Sequence, residues 1–167
     1  MDYADTIAAW QRINPAWSVK VWNNAEVKSL WKTKFPQYKH IWKKAKPIQR
    51  ADLARLMILL EHGGLYADLD CIPSSPIDSM LDDAGFRFVV HDAVLCLEDD
   101  KSPEQMKPTA RWPIRHGVPE YHRRVANYVI WAKPGAQVLR DALELAVHRV
   151  ETTDEAYYHV QGKQGVP

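Results

Sequence analysis

The sequence predicts an α/β layered domain, and three observations predict it. Stretches with apolar residues at helical spacing alternate along the chain with short strand-like runs. Gly, Pro and Asn punctuate the boundaries between them. The length of 167 residues fits one domain, residues 1–167, and a hydrophobic fraction of 46% is ordinary for a globular chain that buries a core.

The elements follow in order. Asp5 or Thr6 can cap a first helix that runs to about Ile13, where Asn14-Pro15 stops it. Ser18 to Trp22 alternates polar and apolar, the mark of a strand. Asn23-Asn24 turns the chain into a helix over Ala25 to Trp31, and a short helix follows over Phe35 to Lys44. Gln49 to His62 carries Leu53, Leu56, Met57 and Leu60 at helical spacing, and Gly63-Gly64 closes it. Leu65 to Ile72 reads as a strand ended by Pro73. Phe86 to Val90, Val94 to Leu97 and Tyr128 to Ala132 read as further strands. Ser102 to Glu120, rich in Pro and charge, reads as a surface loop, and Pro134-Gly135 leads into a last helix over Ala136 to Val150.

Composition excludes some function classes. A net charge of +1 argues against a dedicated nucleic-acid binder, and no apolar run is long enough to span a membrane. Two cysteines, Cys71 and Cys96, provide no disulfide framework. Charge is unevenly placed: every charged residue from Lys28 to Arg50 is basic, and from Asp68 to Asp100 all but Arg87 are acidic. The basic segment reads as a solvated helical face interrupted by Trp31, Tyr38 and Trp42, or as a surface that steers a phosphate-bearing ligand. The seven Trp serve core packing first and stacking on bases or sugars second.

Chemistry concentrates at Asp68-Leu69-Asp70. On a strand the two carboxylates share a face with Tyr66, roughly 7 Å apart at Cα. Like charges so placed repel, and a hard divalent cation with its preference for oxygen ligands relieves the repulsion. Such a cation also neutralises a diphosphate leaving group. On the preceding helix Asp52 and Arg55 stand at i, i+3 on one face, just after Arg50. They form a structural ion pair, or they meet a ribose and a phosphate near the helix's open end.

Arg50-Ala51-Asp52-Leu53-Ala54-Arg55, followed by Glu61-His62-Gly63-Gly64-Leu65-Tyr66-Ala67-Asp68-Leu69-Asp70, resembles the DxD sugar-binding region of glycosyltransferase family 32. That family includes α-1,6-mannosyltransferases and inositol phosphorylceramide mannosyltransferases. Trp10, Asn14-Pro15-Ala16-Trp17 and Val21-Trp22-Asn23-Asn24 resemble the family's opening, and Asn127 to Gly135 resembles a later strand and turn. The resemblance implies a GT-A-like fold with Rossmann-like α/β/α layers. The family's first strand, reading like IPKIIHQIW, has no counterpart here, so a domain truncated at its N-terminal strand is expected. The resemblance also implies Mn²⁺ or Mg²⁺ as cofactor and a nucleotide-diphosphate sugar, GDP-mannose or a UDP-hexose, as donor. The acceptor is a glycan, glycolipid or protein, and the anomeric configuration is retained. Asp70 would ligate the metal directly, with Asp68 beside it and His159 as a candidate third ligand. Arg50, Asp52, Arg55, Gly64, Tyr66 and Asn127 would bind the donor. The compartment follows the source: Golgi lumen for a eukaryotic member, cytoplasm for a bacterial or viral one.

Two other readings stay open. One is a degenerate domain that binds a nucleotide sugar or glycan without turnover. The other is a haloacid dehalogenase-type phosphohydrolase, with Asp68 as nucleophile and Asp70 as acid. Glu98-Asp99-Asp100 is a candidate base or acceptor contact, and Arg111 to His116 a candidate acceptor lip.

Overall fold

The computed structural model describes residues 3–83, 91–98 and 124–152. Six α-helices lie among them: α1 (Tyr3–Ile13), α2 (Asn24–Lys34), α3 (Ile41–Lys44), α4 (Pro47–His62), α5 (Ile77–Asp83) and α6 (Gln137–Thr152). Strands β1 (Gly64–Ala67), β2 (Ala93–Glu98) and β3 (Arg124–Ala132) form an antiparallel sheet in the order β1-β3-β2. The α/β class read from the sequence holds, with a small sheet and a large helical share.

Helix α4 is the centre of the molecule. Its Leu53, Met57 and Leu59 are almost completely buried, and Ala54, Ile58 and Leu60 are buried with them. An element buried on most of its circumference must be covered on several sides, and α2, α6, β1 and β3 all pack against it. Leu139, Leu143, Val147 and Val150 recur at helical spacing on α6 and complete the same core. Truncating one of the fully buried leucines to Ala costs about 2–5 kcal/mol in such a setting.

Local chemistry fixes the joints. Asn23 caps α2: its side chain accepts from the backbone N–H groups of Ala25 and Glu26, while the Glu26 carboxylate accepts from Asn23 N–H. Gly63 ends α4 at φ +68°, a conformation that L side chains rarely adopt. A Cβ there would also lie 2.6 Å from Pro134 Cδ. Glycine therefore lets the α4–β1 joint press against the turn that follows β3.

Several boundaries differ from the sequence reading. The segment Ser18–Trp22 is no strand: its backbone joins no ladder among the described residues. Alternation reports two differently solvated faces and does not supply a neighbouring strand. The strand expected through Ile72 stops at Ala67, because Cys71 N–H turns back to the Asp68 carbonyl at 2.9 Å. Phe35 to Lys44 is not one helix but a 3₁₀ turn, Pro36–Tyr38, followed by α3. Helix α5 was not anticipated, and β3 is longer than the five residues read as strand. The expected strand 86–90 and loop 102–120 lie outside the described residues.

Trp31 and Trp131 are buried, and Trp10, Trp17, Trp22 and Trp42 are partly buried against the core clusters, as the core-packing expectation required. Trp31 meets Trp42 edge-on at 5.0 Å and donates its indole N–H to the Tyr38 carbonyl at 2.9 Å. With Trp31 turned inward, Lys28, Lys32, Lys39 and Lys43 are left exposed, the solvated basic face. No helix among the described residues is long and apolar enough to cross a membrane.

Candidate active site

The site is assembled where α4, β1 and β3 meet. Arg55, on the buried face of α4, has a side chain only 6% exposed. Its guanidinium pairs with Asp52 at 3.0 Å and with Asp68 at 3.5 Å, and donates to the Asn127 carbonyl on β3. The Asn127 side-chain amide donates to Asp52 at 3.3 Å, closing a ring of contacts. Tyr66, on β1, donates its hydroxyl to the other oxygen of Asp68 at 2.7 Å, and Arg55 lies over its ring at 5.2 Å. Asp68 N–H bonds to the Tyr128 carbonyl at 2.9 Å, which ties the start of the DxD turn to β3.

Electrostatics follow from this packing. Burial pushes the Tyr66 phenol far above its ordinary range, and its hydrogen bond to Asp68 adds to the rise. The phenol therefore keeps its proton and stays a donor. Burial also raises the Asp52 carboxyl, an effect that Arg55 opposes and Asp68 reinforces. Cys71 is raised by burial first and by Asp70 second, so its thiol remains protonated.

Asp70 stands apart from the network. It is exposed, and its one polar neighbour among the described residues is the Cys71 thiol at 3.9 Å. The shared strand face proposed for Asp68 and Asp70 is thereby corrected: Asp68 follows the strand and Asp70 lies within the turn after it. What the turn does is separate a carboxylate held by protein donors from one left open to solvent.

A cleft of about 860 Å³ opens beside this network. Arg50, Gly64, Tyr66 and Asp68 line it, and Trp10, Trp17, Trp22 and His62 contribute apolar and aromatic wall. The outer edge of β1 borders it, with the segment Ser18–Trp22 also in its wall. Arg50 lies over the Trp42 ring at 5.0 Å, and its buried Nε has no hydrogen-bond partner among the described residues. A guanidinium so held, with no carboxylate paired to it among the described residues, suits an anionic ligand entering the cleft.

A glycosyltransferase family model, the sugar-binding region containing the DXD motif, matches residues 2–87, just over half of the chain. The chain belongs to this family. The resemblance drawn from Arg50 to Asp70 is borne out by that match, which spans α1, α4 and the whole DxD turn. The chain is also similar to a Saccharomyces cerevisiae protein named "Putative glycosyltransferase HOC1", at 29% identity over 155 residues, covering 89% of this chain and 35% of that protein. A second relative, "Uncharacterized glycosyltransferase L373" of Acanthamoeba polyphaga mimivirus, is 33% identical over 82 residues, covering 48% of this chain and 32% of its own. The chain thus spans about a third of the length of the curated relatives it matches. No solved structure matches.

Within the DxD family site, the structure brings Asp52, Arg55, Tyr66, Asp68 and Asn127 into one network, with Arg50 and Gly64 on the adjoining cleft wall. Asp70 is next to that network in sequence but outside it. His159, Asp99, Asp100 and the segment 111–116 lie outside the described residues, while Glu98 closes β2. The phosphohydrolase alternative loses its footing: the chain belongs to a transferase family, and both oxygens of the would-be nucleophile Asp68 are engaged by Tyr66 and Arg55. Trp42 as the platform under Arg50 was not foreseen, because an aromatic among lysines carries no sign of which cation it will meet.

Proposed function

We propose that this domain belongs to a metal-dependent, retaining glycosyltransferase of GT-A-like fold that moves a hexosyl group from a nucleotide-diphosphate sugar to a glycan, glycolipid or protein. The donor is GDP-mannose or a UDP-hexose. The observation that carries the reading is the division between the two carboxylates: Asp68 is fixed by Tyr66 and Arg55, and Asp70 is open.

The residues fit Mn²⁺ or Mg²⁺. Among the described residues no group of three His, Cys, Asp or Glu side chains is placed to hold a metal. A small hard cation needs only one or two carboxylates when waters and substrate phosphates complete its shell. Asp70 supplies the direct ligand and Asp68 the anchored neighbour. Such a cation, when bound, neutralises charge on the departing diphosphate. Arg50 adds a fixed positive charge at the cleft for the same phosphates, and Asp52 and Asn127 offer polar atoms to the ribose or the sugar. Gly64, at φ +93° with open space where a Cβ would be, leaves room for the donor to approach the backbone of β1. The protein's contribution is positioning and electrostatic stabilisation.

Retention of configuration is what the family resemblance implies. Inversion needs a general base on the far side of the sugar, and Asp52 and Asp68 are poor candidates because they are tied to Arg55. Proton NMR of the first product formed from an α-linked donor tests this. An α-linked product is expected, read from anomeric coupling or, for mannose, one-bond carbon–proton coupling. A β-linked product would contradict it.

A further inference from the structure

We propose that Trp10 and Asn14 are positioning residues for the DxD turn, so that α1, although it contributes no group to the reaction, sets the placement of Asp70. The inference rests on the metal-dependent reading above. Asp70 is exposed and no ion pair holds it among the described residues, so its direction depends on the backbone that carries it. That backbone is gripped at both ends of the segment Cys71–Ile77. At the near end, the Trp10 indole N–H donates to the Cys71 carbonyl at 2.8 Å, while Cys71 N–H closes the turn on the Asp68 carbonyl at 2.9 Å. The peptide groups on both sides of Cys71 are therefore fixed, one residue from Asp70. At the far end, the Asn14 side-chain oxygen accepts from Ile77 N–H at 2.7 Å. That N–H opens α5, where backbone donors have no partner within the helix.

Asn14 is 3% exposed, and its amide nitrogen donates back to the Trp10 carbonyl at 3.2 Å, so the two residues form one unit at the end of α1. Pro15 follows directly, and Trp17 N–H returns to the Asn14 carbonyl at 3.0 Å. The unit is rigid because it is packed. Trp10 and Trp17 lie against the apolar cluster of Ile77, Leu81 and Trp131, which joins α1 to α5 and the sheet. A buried polar side chain is held where its hydrogen bonds are satisfied, and this one spans 63 residues of sequence to one backbone N–H. Partners one step removed from a metal ligand commonly change metal affinity by about 10–100-fold when removed.

The test uses Trp10→Phe, which keeps the ring and deletes the N–H, Asn14→Ala, which deletes the acceptor, and Asn14→Asp, which keeps an acceptor for Ile77. Two quantities are read on the folded proteins. One is hydrogen exchange of the amides from Cys71 to Ile77. The other is the Mn²⁺ concentration that half-saturates binding of GDP-mannose or UDP-glucose, alongside the nucleotide affinity without metal. Trp10→Phe and Asn14→Ala are expected to speed exchange in that segment while α4 is unchanged. They should raise the half-saturating Mn²⁺ about tenfold, with Asn14→Asp, which keeps the acceptor for Ile77 but loses the donor to the Trp10 carbonyl, restoring part of the loss. Unchanged exchange would overturn the grip itself. Faster exchange with unchanged Mn²⁺ dependence would overturn the coupling to Asp70. A wild type with no Mn²⁺ dependence at all would instead remove the metal reading and the positioning role with it, while exchange still reports whether the grip exists.

Discussion

Asp70→Asn is expected to abolish the Mn²⁺-dependent part of nucleotide-sugar binding and to leave the fold intact. The two halves of that expectation have separate causes. Asp70 is exposed and makes no ion pair among the described residues, where its one polar neighbour is the Cys71 thiol, and a surface change of this kind shifts stability by no more than about 0.5 kcal/mol. A neutral amide is a poor substitute for a carboxylate toward a hard cation, whose affinity depends on ligand charge. Calorimetry with and without Mn²⁺ separates the halves. Mn²⁺-dependent affinity equal to wild type in a folded Asp70→Asn protein would mean that the metal is held elsewhere.

Arg55→Ala carries the second large effect, and it falls on stability first. The side chain is 6% exposed and serves Asp52, Asp68 and the Asn127 carbonyl together. Removing it strips two carboxylates of their cation in a partly buried setting. A loss of about 3 kcal/mol follows, a fall in Tm of roughly 6–12 °C for a domain of this size. The Asp52 carboxyl, already raised by burial, loses the influence that lowers it. A carboxyl raised in the folded state favours folding at low pH and loses that contribution as pH rises through its folded pKa. The variant's deficit should therefore widen from acidic to neutral pH. Arg55→Lys should recover only part of the loss, since an ammonium cannot make the forked contacts. Thermal denaturation across pH measures all of this. A Tm within a degree of wild type would show that the network does not hold the site together.

The same residue shows what the sequence could and could not disclose. The i, i+3 spacing of Asp52 and Arg55 was legible, and so was their return toward Asp68 through Gly63-Gly64. The sequence left open whether Arg55 serves the fold or the donor, because burial decides that and burial is set by β3, more than sixty residues away. In the structure the guanidinium's two terminal nitrogens meet Asp52, Asp68 and the Asn127 carbonyl. The DxD turn misled in a different way. Strand periodicity reads on through Ile72, but the Cys71 N–H returning to Asp68 breaks it after Ala67. A turn bond between backbone groups has no side-chain signature here. Ser18 to Trp22 failed for a third reason, since alternation cannot name a partner strand. Helix α4 was plain throughout, because Leu53, Met57 and Leu60 at helical spacing and a closing glycine pair all point one way.

Binding of a nucleotide sugar through a divalent cation at this site is tested by thermal denaturation with GDP-mannose, UDP-glucose and UDP-galactose, each with and without Mn²⁺. Ligand that binds only the native state stabilises it by about 2.7 kcal/mol at a hundred times Kd. The account predicts a rise in Tm for at least one of these donors that requires Mn²⁺ and disappears in Asp70→Asn. No rise with any donor in the presence of Mn²⁺, or an equal rise in its absence, would contradict it.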